Sequence, residues 1–219
     1  LCTMNIEENT LSLLEDLPKT VQLVAVSKTK SNDEIMQAYK SGQRVFGENK
    51  IQEMTAKYES LPKDIQWHMI GHVQTNKVKY MAPYVELIHG VDTLKLLKEV
   101  NKQAFKNERI INCLLQLHIA EESTKFGMSK KECIDAVGVA KTLENIKIKG
   151  LMGMATFTED TSQISKEFQS LKGLYDELAA ENQDFNTLSM GMSGDYQIAI
   201  ENGSNMIRVG SKIFGARNY

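Results

Sequence analysis

Val21-Gln22-Leu23-Val24-Ala25-Val26-Ser27-Lys28-Thr29-Lys30-Ser31-Asn32-Asp33-Glu34 is the stretch that settles the architecture. Its first six residues form a mostly apolar, partly β-branched run, too short for a helix of its own and suited to a buried strand. Its last four set a serine three residues ahead of a glutamate. That is the spacing of a capping box, in which hydroxyl and carboxylate each satisfy an N–H at a helix start. Gly42 stands where such a helix can stop. Strand, short polar link and capped helix make one β-α unit, and the polar link, with Lys28 in it, follows the carboxyl end of the strand.

The unit recurs along the chain. Arg44-Val45-Phe46 reads as a second strand, with a helix over 49–58. Gln66-Trp67-His68-Met69-Ile70 is the third, ahead of a short helix over 74–80. Val85-Glu86-Leu87-Ile88 is the fourth. Asp92 can cap the next helix, where Leu94, Leu97, Val100 and Ala104 keep helical spacing. The fifth strand, over 110–117, is the longest apolar run, and Ser129-Lys130-Lys131-Glu132 supplies a second capping box. A sixth over 146–152 precedes a long helix with Ile164, Phe168, Leu171, Leu174 and Leu178 on one face. Thr187-Leu188-Ser189-Met190 and Met206-Ile207-Arg208-Val209 are the seventh and eighth, with a helix opening near Ser193 between them. An extra helix over 6–14 comes first.

Strict alternation implies parallel strands joined by right-handed crossovers. Eight repeats in 219 residues point to a single (β/α)₈ TIM barrel, at the short end of its size range. An open doubly wound sheet is the competing arrangement, but no Gly-x-Gly-x-x-Gly follows the first strand.

Composition sets the outer bounds. Apolar residues make up 42%, charged residues 25%, and the net charge is −2, which points to an ordinary globular chain without a nucleic-acid or membrane partner. No Pro/Gly/Ser-rich seam divides it, so one domain over 1–219 is expected. Cys2, Cys113 and Cys133 lack a metal spacing and read as free thiols in a reducing compartment. No apolar run is long enough to span a bilayer, the start is unlike a secretory leader, and Met4 reads as the natural first residue. The expected location is the cytoplasm.

In such a barrel the working face is built by the loops after the strands. Lys28 follows the first, Asn49 the second, Gly71-His72 the third and His89-Gly90 the fourth. Ser193-Gly194 follow the seventh, and Gly210-Ser211 the eighth. Phosphate sites in these barrels use the last two loops, where a helix start and bare glycine backbone favour an anion. Ser193 reads almost equally as a plain helix cap. Lys28 has two readings as well. Desolvation at a strand end favours a neutral amine able to attack an aldehyde; the alternative, a salt-bridged lysine, is favoured on local context alone. Lys30 reads as a surface residue. Arg208 lies inside an apolar strand and needs a ligand or a buried carboxylate to be tolerated there. His68 and His72 lack the glutamate and helix of a zinc motif, so no metal is expected. His89 and His118 read as local hydrogen-bonding residues, and Trp67 as packing on the opposite side of its strand from His68.

Taken in order, Val24-Ala25-Val26-Ser27-Lys28-Thr29-Lys30, Phe46-Gly47-Glu48-Asn49, Trp67-His68-Met69-Ile70-Gly71-His72-Val73-Gln74-Thr75-Asn76-Lys77, Ser189-Met190-Gly191-Met192-Ser193-Gly194-Asp195 and Ile207-Arg208-Val209-Gly210-Ser211-Lys212-Ile213-Phe214-Gly215 closely resemble the YggS/PROSC family of pyridoxal phosphate homeostasis proteins. That family is similar in fold to the N-terminal barrel of alanine racemase. The resemblance implies that pyridoxal 5′-phosphate (PLP) is held as a Schiff base on Lys28. It implies that Ser193, Gly210 and Ser211 hold the phosphate, that Arg208 stands at the pyridine nitrogen and that Asn49 is near the cofactor. An arginine at that nitrogen keeps it unprotonated and weakens the ring as an electron sink.

Two departures stand out. Asn205 replaces a threonine of the family pattern, removing a hydroxyl near the phosphate loop. The segment from Leu117 to Gly127 also differs from the commoner pattern.

Two function classes follow. The first is a non-catalytic PLP carrier or buffer that influences amino-acid and keto-acid balance. It is expected as a monomer, with apo PLP-dependent enzymes as conceivable partners. The second is an enzyme, either a racemase-like protein acting on a small amino acid or a lysine-imine lyase with His72 as its base. Racemases of this type add a β domain that supplies a tyrosine, and the sequence stops at Tyr219, so the carrier is ranked first.

Overall fold

The computed structural model describes residues 5–216; Cys2, Met4 and Tyr219, read above, lie outside the described residues. Eight parallel strands pair in chain order and close on themselves: β1 (Gln22–Val26), β2 (Val45–Glu48), β3 (Gln66–Met69), β4 (Leu87–Val91), β5 (Ile111–Leu117), β6 (Ile146–Gly153), β7 (Thr187–Ser189) and β8 (Met206–Val209). The helices are α1 (Ile6–Asp16), α2 (Asn32–Lys40), α3 (Ile51–Ser60), α4 (Val78–Met81), α5 (Leu94–Lys106), α6 (Lys130–Ala140), α7 (Thr161–Ala179), α8 (Tyr196–Glu201) and α9 (Ser211–Phe214). The expected (β/α)₈ barrel is therefore the fold.

Both capping boxes form reciprocally, Ser31 with Glu34 at α2 and Ser129 with Glu132 at α6. Each such cap is worth about 1 kcal/mol. Closure brings β8 beside β1, with Val24 opposite Arg208. At Gly150 the β5–β6 register slips by one residue. Its φ is +151°, and a Cβ there would stand 1.7 Å from the Thr187 carbonyl oxygen, so only glycine lets β6 pass β7 at this bend.

Two apolar regions result. The larger fills the space between strands and helices and includes Phe46, Trp67, Phe168 and Leu188. Trp67 thus faces outward, as expected. The smaller plugs the barrel itself with Val24, Val45, Leu87, Leu114, Met152 and Met206. Side chains alternate along a strand. One step further toward the carboxyl ends the inward positions become polar: His68, His89, Gln116, Ser189 and Arg208, all buried.

Two boundaries differ from expectation. β4 continues to Val91, so His89 and Gly90 belong to the strand and not to the loop after it. Both ring nitrogens of His89 find partners inside the barrel, which lets a polar residue stay in the strand. The helix after β7 starts at Tyr196, not Ser193. Asp195 accepts a hydrogen bond from the Met192 N–H at 2.7 Å and closes residues 192–195 into a turn. Gly191 enters that turn at φ +104°, where a Cβ would press on Ala199.

Candidate functional site

Val24 and Arg208 are paired and point into the barrel, and alternation carries Val26 the same way. Lys28, two residues on, emerges at the mouth. It lines a cavity of about 420 Å³ together with Ser193, Gly194, Arg208, Gly210 and Ser211. Five of the six residues predicted from sequence are thus gathered around one opening. Asn49 is not among them. It lines a separate cavity of about 370 Å³ with Met69, His72 and Lys77. Lys30, read as a surface residue, does line the Lys28 cavity. Its ammonium lies 3.8 Å from Glu34 and donates to the Phe214 carbonyl at 3.5 Å.

Ser193 is positioned by the turn after β7, and its hydroxyl accepts from the Gly210 N–H at 3.3 Å. The two loops nominated for phosphate therefore touch each other. A Cβ on Gly210 would sit 3.2 Å from both the Cβ and the carbonyl oxygen of Val26, so bare backbone forms the wall there. Arg208 is 3% exposed. Its guanidinium donates to Ser189 Oγ through Nη1 and to the Gly153 carbonyl through Nη2 at 3.1 Å. Burial pushes it down to about 10, opposed by the charge of Asp195, so it stays cationic at neutral pH. Burial raises Asp195 in turn, against the pull of the Met192 N–H and the Arg208 charge.

The Lys28 segment is held from outside the barrel. Ser27 is buried and donates to Glu48 Oε1 at 2.8 Å. Lys57, on α3, donates to the Ser27 carbonyl at 2.8 Å and to Glu48 Oε1 at 2.5 Å. Lys57 also reaches Glu53 at 2.7 Å, and Glu53 accepts the Thr29 N–H at 2.6 Å. Thr29 has φ +65°, an unfavourable conformation for a β-branched residue. Burial raises the Glu48 carboxyl above its usual range against the attraction of Lys57, and Glu48 Oε2 has no partner. Burial also pushes Glu53 upward, but hydrogen bonds from Lys57 and Thr29 outweigh it and hold the group low. Sequence reading missed this network: Glu53 and Lys57 stand four apart on α3, but nothing local ties them to Glu48 at the end of β2.

The remaining candidates lie elsewhere. His72 bonds Asp92 at 3.2 Å and stacks on Phe126 with ring centres 3.8 Å apart. It lines the Asn49 cavity and is not among the residues lining the Lys28 cavity. Phe126 belongs to the divergent segment after β5. That segment is clamped to the loop after β6 by Lys125 on the Ala155 carbonyl and the Phe157 N–H on Glu122. Asn205 sits at the start of β8, at the opposite end from Gly210. Its side chain accepts from the Leu188 N–H and donates to the Asn186 carbonyl, both at 2.8 Å. The expected loss of a hydroxyl beside the phosphate loop is therefore corrected: this position ties β7 to β8 at the barrel floor. Cys113 and Cys133 are free and buried, which pushes both thiols up to about 12. Among the described residues no group of three or more His, Cys, Asp or Glu is placed to hold a metal, and no helix is long and apolar enough to cross a membrane.

The closed barrel with a lysine at its mouth defines a class: residues 2–218 match the family described as alanine racemase, N-terminal domain. The alanine racemase of E. faecalis shares the fold, with a TM-score of 0.73 at 18% identity over 97% of this chain and 58% of that one. Much closer are the pyridoxal phosphate homeostasis proteins, and the chain belongs to their family. It is 39% identical to the member from Aquifex aeolicus over 200 residues, 90% of this chain and 88% of that one. PipY of Synechococcus elongatus, solved without PLP, superposes with a TM-score of 0.91 at 33% identity, over 96% of this chain and all of that one. With PLP bound, PipY gives 0.87 at 32% identity over the same shares.

Proposed function

We propose that this chain binds PLP in the Lys28 cavity and serves PLP homeostasis as a carrier or buffer, acting on amino-acid and keto-acid balance through the cofactor it holds. The observation that carries the reading is the gathering of Lys28, Ser193, Arg208, Gly210 and Ser211 around one cavity of about 420 Å³, a size suited to a small cofactor. A relative with the same fold, PipY, has been solved with PLP bound. In this arrangement the Lys28 amine holds the cofactor aldehyde as an imine, with release of water. Ser193, Ser211 and the Gly210 backbone take the phosphate. Arg208, which has donors and no acceptor, faces the pyridine nitrogen and leaves it unprotonated. When bound, the cofactor supplies a reactive aldehyde and only a weak electron sink.

The reading is of one barrel domain working as a monomer in the cytoplasm, without catalysis as its role. The make-up of the cavity wall bears on the choice between carrier and racemase-like enzyme. Among the described residues that line it, none is a histidine, tyrosine or carboxylate, which favours the carrier over the racemase-like reading. Asn49, one cavity away, belongs to the margin of the site.

Titration with PLP, reduction with borohydride and peptide mass mapping test the proposal together. The expected result is a yellow protein with one reduced adduct, on Lys28. A protein that stays colourless, or an adduct that persists unchanged in Lys28→Ala, overturns it.

A further inference from the structure

Four buried side chains cross the barrel in one hydrogen-bonded file. Arg208 Nη1 donates to Ser189 Oγ, Ser189 Oγ lies 2.9 Å from His89 Nδ1, and His89 Nε2 lies 2.9 Å from His68 Nδ1. The members come from β8, β7, β4 and β3, and none is more than 3% exposed. The proposed cofactor contact uses only the first of them.

Counting donors fixes the direction of the file. A guanidinium has N–H donors and no acceptor. Ser189 Oγ must accept from Arg208, and because His89 is its only other hydrogen-bond partner among the described residues, its single hydrogen goes to His89. His89 Nδ1 therefore accepts, and in a neutral ring the hydrogen sits on Nε2. That hydrogen is aimed at His68 Nδ1, which must also accept, so the hydrogen of His68 sits on Nε2. Both rings are neutral. Burial pushes His68 down to about 3 and holds His89 well below its usual range; the repulsion that a protonated His68 would exert, and the Arg208 charge, lower His89 further.

We infer that Ser189, His89 and His68 are positioning residues for Arg208, forming a one-way hydrogen-bond file that locks the guanidinium from behind. The inference rests on the PLP reading for what Arg208 faces, but not for the file itself. With Nη1 held by Ser189 and Nη2 by the Gly153 carbonyl, the guanidinium cannot turn about its own axis without breaking a buried bond. Its remaining N–H groups are thereby presented in one fixed orientation.

The test is nitrogen NMR on the protein without cofactor, labelled at histidine and arginine. The expected wild-type result is an Nε2–H tautomer on both His68 and His89, and separate Nη1 and Nη2 signals from a guanidinium that rotates slowly. In Ser189→Ala the His89 tautomers should mix and the Arg208 signals merge, with PLP binding about tenfold weaker, the loss expected for one charged hydrogen bond. His89→Gln can accept from Ser189 and donate to His68, so it should keep the separate Arg208 signals, whereas His89→Leu should lose them. An Nδ1–H on either wild-type histidine overturns the inference, as do Arg208 signals that are merged already in the wild type. So do Arg208 signals indifferent to both the serine and the leucine change. Failure of the PLP reading looks different: no adduct on Lys28, with the tautomers as described.

Discussion

Lys57 Nζ lies 2.5 Å from Glu48 Oε1 in a space where Lys57 is 7% exposed and Glu48 not at all. The same ammonium bonds the carbonyl of Ser27, the residue before Lys28. The pair thus supports the segment that carries the amine, although neither residue lines the cavity. A buried ion pair is costly to break, because the surviving charge is left without compensation. Lys57→Met should therefore lower stability by about 3–5 kcal/mol. The double variant Glu48→Leu with Lys57→Met should recover much of that loss. Denaturant midpoints of the three proteins check this; a double variant no more stable than the single one would show that packing, not charge, is what Lys57 contributes.

Arg208→Gln should weaken PLP binding about 10–100-fold, the loss expected for hydrogen bonds made by a charged group. It should also shift the absorption of the bound cofactor, because a neutral amide no longer opposes protonation of the ring nitrogen. An unchanged spectrum would remove Arg208 from that position.

Acid should destabilise the fold through the interior histidines. His68 has a folded value of about 3 against an ordinary 6.5, so the unfolded chain binds the extra proton between those limits. Stability from this group is complete above pH 6.5 and is lost as the pH falls toward 3. Between pH 7 and pH 5 the loss should be about 2 kcal/mol for His68 alone, and His89 adds in the same direction. Glu48, raised by burial, acts in the opposite sense above pH 4.5 and flattens part of the slope. Urea unfolding across this range should show the decline, and His68→Gln should make it shallower.

Asn205→Thr restores the family residue, yet it should not strengthen phosphate binding. It removes the side-chain bonds to Leu188 and Asn186 at the barrel floor. A loss of about 1–2 kcal/mol in stability with an unchanged PLP dissociation constant is expected. Tighter PLP binding would place this position back beside the phosphate.

How much of this was legible in the sequence depended on range. Ser31 with Glu34 and Ser129 with Glu132 announced their helices because a cap is settled within four residues. The eight apolar runs announced the barrel for the same reason. Boundaries failed where tertiary partners overrode local signals. His89-Gly90 looked like a loop, but partners on β3 and β7 keep His89 within β4. Ser193 looked like a helix start, yet the bond between Asp195 and Met192 closes a turn there first. Lys28, Ser193, Arg208, Gly210 and Ser211 converged because strand order places β1, β7 and β8 side by side. Asn49 parted from them because the exit of β2 opens toward β3, beside Met69 and His72. The side chains of Glu48, Lys57 and Glu53 carried no legible sign of joining, since their meeting point is made by the packing of α3 on the barrel.

That support from α3 changes how damage to this protein would present itself. Thr29 and Ser27 are tethered to an outer helix whose own residues stay clear of the Lys28 opening. A genetic screen scored on cofactor retention would therefore return hits between α3 and the barrel wall. Their map would trace a brace running from the outer helix to the amine, and its outline would not coincide with the residues that line the Lys28 cavity.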